Sequence, residues 1–196
     1  MIKNQTTISS SVSLEGVGIH TGKDVKLTFN PAEPDTGYVF KRVDLEGQPL
    51  IEALSKYVVN THRGTTLEKS GVKLKTIEHV LAALVGLEID NVLIEINAEE
   101  PPIMDGSSKF FVDALEKAGL KQLNILRKEY VIKNVITYKD EKSGSKLQLF
   151  PLKIIKLQLW LIMIQKFLEH KTHHYQNFLS LKTIFQMQEH LVFYMR

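Results

Sequence analysis

Lys75-Thr76-Ile77-Glu78-His79-Val80-Leu81-Ala82-Ala83-Leu84-Val85-Gly86, followed at once by Leu87-Glu88-Ile89-Asp90-Asn91-Val92-Leu93-Ile94-Glu95-Ile96-Asn97, decides the fold. Residues 76–86 read as a helix. Thr76 is placed to cap its start, Val80, Leu81, Ala83 and Leu84 form a largely apolar body, and Gly86 stops it. Residues 91–97 read as a buried strand, Val-Leu-Ile-Glu-Ile closed off by polar residues at both ends. A helix feeding directly into a buried strand predicts a sheet with helical cover.

Working outward, Pro101-Pro102 gives an extended entry to Ile103-Met104, and Asp105-Gly106-Ser107-Ser108 is a turn. The turn opens a second helix carrying Phe110, Phe111, Ala114, Leu115 and Ala118, ended by Gly119. Upstream, residues 6–14 and 25–29 read as strands, the second with clear alternation. Residues 38–43 form a third, entered through the turn sequence Pro34-Asp35-Thr36-Gly37. Residues 65–67 and 72–74 flank Lys69-Ser70-Gly71 as a hairpin. The pattern is α+β: a sheet with two helices on one face. Residues 1–125 make a first α+β domain, in which 120–126 run out as a linker. Residues 126–150 begin a second domain with a hairpin, 129–138 and 146–150, turning at 140–144.

The composition is that of an ordinary soluble chain: 43% hydrophobic and 24% charged over 196 residues. With no cysteine there is no disulfide framework, thiolate metal site or cysteine nucleophile, which fits the cytoplasm. Met1-Ile2-Lys3-Asn4-Gln5 has no apolar signal core. The most apolar run, 154–164, is about half the length a bilayer demands, so no transmembrane segment is expected. Residues 1–150 carry 19 Lys and Arg against 20 Asp and Glu, whereas 151–196 carry 6 against 2. The tail's basic residues are scattered among Leu, Ile and Phe without an Arg cluster, so nucleic acid is not an expected partner.

Glu78 and His79 place a carboxylate and an imidazole in one helical first turn. The positive end of the helix dipole favours the anion and disfavours imidazolium, which leaves the ring able to take a metal and Glu78 in the form a general base needs. The same pair also suits a dipole-stabilising Glu beside a partly buried His. His20 sits in Gly16-Val17-Gly18-Ile19-His20-Thr21-Gly22, where glycines let backbone approach a ligand. A plain turn with an exposed His fits that loop equally. Its spacing is not a dinucleotide fingerprint. Asp105 is expected to cap a turn, and Phe110 and Phe111 to lie in the core.

The blocks Gly-Val-Gly-Ile-His-Thr-Gly (16–22), Asn-Thr-His-Arg-Gly-Thr-Thr-Leu (60–67), Thr-Ile-Glu-His (76–79) and Pro-Ile-Met-Asp-Gly-Ser (102–107) occur in this order. Over roughly residues 1–150 the chain resembles the zinc-dependent UDP-3-O-acyl-N-acetylglucosamine deacetylases of lipid A biosynthesis. The resemblance implies two similar α+β domains with helices sandwiched between two sheets and an active site at the junction. It implies Glu78 as general base, His79 as a ligand of Zn2+, and the His20 loop at the substrate pocket. His62 and Thr65 would lie near the pocket mouth, with Thr65 binding substrate. The substrate would be UDP-3-O-acyl-N-acetylglucosamine. Amide hydrolysis by zinc needs three protein ligands and an open position. The resemblance places the remaining ligands, and a His acting as acid and oxyanion stabiliser, late in a second domain that these residues do not reach. On that reading the chain is a truncated, inactive form of a cytoplasmic enzyme. Some relatives carry a fused hydroxyacyl-carrier-protein dehydratase. A folded non-enzymatic remnant, and a sugar- or nucleotide-binding α+β module that never bound zinc, are the alternatives.

Residues 151–196 contain no Gly, Ala or Asp, and all 11 glycines lie before them. At average usage about three glycines would be expected there. Read one base out of phase, codons allowed for residues 165–178 can spell K-V-L-G-T-Q-N-A-S-L-S-K-F, which again resembles the family. The tail is therefore expected to be out of frame from near Pro151, and its His170, His173, His174 and His190 to be no metal site. Sequencing across the codons for residues 150–152 decides the point.

Overall fold

The computed structural model describes residues 3–62, 64–128, 132–139, 141 and 146–151. The tail histidines, and most of the turn expected at 140–144, lie outside the described residues. In chain order the elements are β1 (Asn4–Ile8), β2 (Val12–Val17), β3 (Asp24–Pro31), β4 (Tyr38–Arg42), β5 (Leu50–Glu52), a 3-10 turn (Ser55–Tyr57), β6 (Val58–Asn60), β7 (Thr66–Lys69), β8 (Val72–Leu74), α1 (Glu78–Gly86), β9 (Val92–Ile96), α2 (Lys109–Ala118), β10 (Leu120–Leu126), β11 (Ile136–Lys139) and β12 (Lys146–Leu149). They fall into two units divided after Lys128. In the second unit, β11 and β12 pair antiparallel from Ile136 against Leu149 to Lys139 against Lys146.

The first unit is α+β, built on a five-stranded sheet in the order β2-β3-β9-β4-β5. β9 pairs antiparallel with β3 and parallel with β4, so the apolar strand read at 91–97 lies in the middle of the sheet. Val92, Ile94 and Ile96 of β9 and Val25, Leu27 and Phe29 of β3 are buried with Val80, Leu81 and Leu84 of α1 and Phe111, Leu115 and Ala118 of α2. The two helices thus cover one face. The Phe29 and Phe111 rings meet edge to face, centroids 6.5 Å apart at 82°. The opposite face carries the alternate residues, and Lys26, Thr28, Lys41, Glu95 and Asn97 rim a polar depression of about 340 Å³.

Several expectations need correction. The strand expected over 6–14 is two strands, broken at Ser9-Ser10-Ser11. There the Ser9 N–H donates to the Gly119 carbonyl, Ser10 Oγ to the Ala118 carbonyl and Ser11 Oγ to Asn30 Oδ1. These short hydroxyl residues move the chain from one ladder to another. Residues 120–126 are not a linker but β10, paired antiparallel with β1 from Ile8 against Leu120 to Asn4 against Leu126. Its ladder makes the strand without an alternating buried face, so periodicity gave no signal. The Phe pair splits: Phe111 is 1% exposed, whereas Phe110, one position earlier, is 41% exposed. A helix turns about 100° per residue, which separates neighbours onto different faces. Gly86 is the last helical residue rather than the stop, and the chain leaves through Leu87 and a left-handed Glu88.

Ion pairs lace the surface of this unit, and several hold carboxylates below their ordinary range. Hydrogen bonds lower Asp44 from Arg42, Glu52 from Lys69, Glu88 from Lys3 and Asp35 from Lys128. A carboxyl that is more acidic folded than unfolded stabilises the fold above the unfolded value and loses that contribution as pH falls through the folded one. The melting temperature is therefore expected to hold steady down to about pH 5 and to fall as pH drops past the reference values of 4.5 and 3.8. Three of these four pairs are substantially exposed and screened, and Arg42–Asp44 alone of the four is largely buried, so the fall is modest. Thermal unfolding followed by circular dichroism from pH 7 to 3 checks this, and a midpoint that rises in the acid range would contradict it.

Candidate functional site

Glu78 is the first residue of α1 and is only 7% exposed despite its charge. A carboxylate needs hydrogen-bond donors when taken out of water. The Thr65 N–H supplies one, 2.8 Å from Glu78 Oε2. The Thr65 carbonyl accepts from the Ile77 N–H at 3.5 Å, so one residue of the 60–65 segment both caps the helix and holds its carboxylate. Thr65 itself is buried. Gly64 completes the wall, since a Cβ there would stand 3.2 Å from Glu78 Oε1 and 3.4 Å from Thr76 Oγ1. Thr76 is not the helix cap. Ile77 occupies that position with helical backbone angles and no side-chain capping bond, while Thr76 takes φ +54. The backbone of Thr65 has taken over the capping role.

His79 follows directly, half-buried, and its ring makes no hydrogen bond to a described residue. Glu78 and His79 therefore differ in kind: the carboxylate is fixed by backbone, and no described residue occupies the imidazole nitrogens. His62 is exposed, with its N–H donating to Asn60 Oδ1 within the preceding turn. Asp105 accepts from the Ser107 N–H and hydroxyl and so shapes the turn before α2. These bonds, led by that from the Ser107 side chain, lower its pKa.

The loop at 16–22 is built against the segment that follows β9. A Cβ on Gly16 would lie 3.0 Å from Pro102 Cβ and 3.2 Å from Met104 Sδ. The Ile103 N–H donates to the Val17 carbonyl at 2.9 Å. The Gly-Val-Gly-Ile-His-Thr-Gly and Pro-Ile-Met-Asp-Gly-Ser blocks, eighty residues apart, are thus one packed unit. His20 is exposed at the tip, and its N–H donates to Glu100 Oε1 at 2.9 Å. Glu100 is a functional candidate that the sequence reading missed. Its signal was a second acidic residue leading into Pro101-Pro102, where a solvent-facing charge was the ordinary expectation. His20 and Asp24 stand at His-x-x-x-Asp spacing, but on a loop and the first residue of β3, so they do not share a helical face.

One junction relates the two clusters. The Lys75 N–H donates to the Glu99 carbonyl at 2.8 Å, and their side chains pair at 3.2 Å. Glu78 lies three residues past Lys75 and Glu100 one past Glu99, so chain reach holds their backbones within about 20 Å. No described contact joins His20 to Glu78 or His79. A cleft of about 380 Å³, lined by Glu15, Gly16, Val17, Ile103, Met104, Asp105 and Phe110, takes in the start of the 16–22 loop but none of His20, Glu78 and His79. Among the described residues no helix is long and apolar enough to cross a membrane.

Comparison with known proteins places this architecture. The profile of the UDP-3-O-acyl N-acetylglycosamine deacetylase family matches residues 5–186. A protein of Bacteroides thetaiotaomicron named bifunctional enzyme LpxC/FabZ is 46% identical over 147 residues, 75% of this chain and 32% of its own length. One of the same name from Porphyromonas gingivalis is 40% identical over 190 residues, 97% of this chain and 40% of its own. A UDP-3-O-acyl-N-acetylglucosamine deacetylase of Saccharophagus degradans is 46% identical over 146 residues, 74% of this chain and 48% of its own. Two of these matches have the extent that the motifs in residues 1–150 led one to expect, while the family profile and the Porphyromonas protein carry similarity further. The chain spans between a third and a half of the length of these relatives. With its blocks packed on one another and the family matched over nearly its whole length, the chain belongs to the UDP-3-O-acyl-N-acetylglycosamine deacetylase family.

Proposed function

We propose that this chain forms the base-bearing part of a zinc-dependent hydrolase that removes the N-acetyl group of UDP-3-O-acyl-N-acetylglucosamine in lipid A biosynthesis. The observation that carries this reading is the buried Glu78 carboxylate, pinned by the Thr65 N–H beside a half-buried imidazole that bonds no described residue. Glu78 takes a proton from the attacking water as its oxygen adds to the acetamide carbon. The carbon–nitrogen bond then breaks, acetate leaves, and the proton passes to the departing amine. A carboxylate held on one oxygen keeps the other aimed, which is what general-base transfer over hydrogen-bond distance requires. Thr65 acts here by holding the base, and His20 borders the bound sugar nucleotide.

The donor set tests the metal. Among the described residues no three of His, Asp and Glu cluster to hold an ion, and a catalytic zinc takes three protein ligands. His79 is suited to be one of them, as an imidazole in a first helical turn. When bound, zinc would polarise the acetamide carbonyl and acidify the attacking water. The complementary ligands belong to residues other than those described, which is consistent with relatives two to three times as long as the matched segment. The bifunctional names of two relatives support a parent polypeptide with a further enzymatic domain, proposed as the dehydratase, and the setting is proposed to be the cytoplasm.

Acetate release from UDP-3-O-acyl-N-acetylglucosamine in the presence of zinc tests the reading. The protein as its gene encodes it is expected to turn the substrate over, and these 196 residues alone are expected not to. No acetate from the gene's full product would overturn the proposal.

A further inference from the structure

We propose that Glu100 is a positioning residue for the substrate loop: its carboxylate clamps the His20–Thr21 tip and so fixes the point from which the His20 ring projects. The inference rests on the reading above that His20 borders the bound sugar nucleotide.

Glu100 is 0% exposed. Its Oε1 accepts three hydrogen bonds, from the His20 N–H at 2.9 Å, the Thr21 N–H at 2.7 Å and Thr21 Oγ1 at 2.8 Å. Its Oε2 is buried and has no partner among the described residues. Closing a seven-residue loop does not call for such a group. The Gly18 N–H bonds to the Lys23 carbonyl and the Gly22 N–H to the Gly18 carbonyl, both at 3.0 Å, and these alone close the base of the turn. A neutral side chain would add an acceptor without the desolvation of a charge, which costs several kcal/mol unless it is compensated. What the carboxylate adds is strength at the tip, because hydrogen bonds to an ionised acceptor are roughly twice as strong as neutral ones.

The loop is shaped around this clamp. A Cβ on Gly18 would stand 2.4 Å from Glu100 Oε1 and 2.5 Å from Thr21 Oγ1, distances no real Cβ adopts. Only glycine lets the carboxylate reach the tip. Beyond the clamp both backbone N–H groups of His20 and Thr21 are held, while the His20 side chain is exposed and makes no hydrogen bond to a described residue. A fixed Cα beneath a free ring is the arrangement of a pre-ordered binding group, since the ordering is complete before the ligand arrives. Glu100 touches no reacting atom on this account, so its removal should weaken binding and spare the chemical step.

The test uses the protein as its gene encodes it, with UDP-3-O-acyl-N-acetylglucosamine as the probe and three variants. Glu100→Ala should raise KM about tenfold with kcat within about twofold, and speed hydrogen exchange at the His20 and Thr21 amides by at least about tenfold. Glu100→Gln, whose amide oxygen still accepts from all three donors, should return KM to within about threefold of the parent. His20→Ala separates the two ideas. If it leaves KM unchanged, the loop does not border the substrate and the underlying reading fails. If it raises KM while Glu100→Ala does not, the positioning role alone fails. Equal losses in Glu100→Ala and Glu100→Gln would also overturn it. Should Glu100→Ala not fold, Thr21→Val removes one of the three donors without touching the carboxylate, and an unchanged KM in that variant overturns the proposal.

Discussion

Glu78→Gln is expected to lower kcat by about 10²–10⁴-fold, the range a positioned general base supplies, while leaving KM within about threefold. The substitution is chosen to separate chemistry from structure. Gln is isosteric with Glu, and its amide oxygen can go on accepting the Thr65 N–H that now meets Glu78 Oε2 at 2.8 Å. The helix start and the 60–65 segment stay in place, so the melting temperature should move by no more than a few degrees. What disappears is the ability to take a proton. Steady-state kinetics of the gene's full product on UDP-3-O-acyl-N-acetylglucosamine, beside its thermal unfolding, gives both readings. A fall in kcat of less than tenfold would remove Glu78 from the role of base. A large loss of stability would instead return it to the plainer one of a helix-dipole partner.

The second large effect concerns the core that holds this helix. Phe111→Ala should destabilise the first unit by about 3–5 kcal/mol, the range for emptying a buried aromatic site. Part of that loss is the edge-to-face contact with Phe29, worth about 0.5–1.5 kcal/mol beyond burial. For a unit of this size the midpoint should drop by roughly 10–20 °C. Phe110→Ala, at a neighbouring but exposed position, should shift it by only a few degrees. Unfolding of the two variants in parallel checks the assignment, and equal shifts would mean that α2 lies on the sheet through a different face.

The elements legible in the sequence were those with a strong one-sided pattern. β9 and β3 showed theirs because burial on the core face is nearly complete along each strand. The hairpin of β7 and β8 was announced by Ser70-Gly71, both left-handed in the structure as a tight turn requires. β10 was not legible, because six of its seven residues are exposed and its partner, β1, is more than a hundred residues away. The break at 9–11 was hidden for a related reason: three serines keep strand character locally, and only the tertiary acceptors at Ala118, Gly119 and Asn30 turn the chain. At the candidate site, Glu78 and His79 stood out by type and position. Thr65 was singled out by its resemblance, but its backbone contact with Glu78 could not be read from side-chain chemistry at all. Glu100 was masked by its neighbour Glu99, since alternation cannot tell which of two adjacent acids points inward after a strand has ended.

The pairing of β1 with β10 brings the first and last strands of this unit side by side, and the Arg127 N–H closes on the Lys3 carbonyl at 2.8 Å. Arg127 also bonds Asp90 and the Glu88 carbonyl, so both ends are anchored to the turn behind α1. A fold whose entrance and exit coincide can be spliced into, copied in tandem or circularly permuted without stretching anything inside it. New ends could thus be opened at the exposed 44–48 turn and the old ones joined by a short glycine bridge, leaving the sheet order intact.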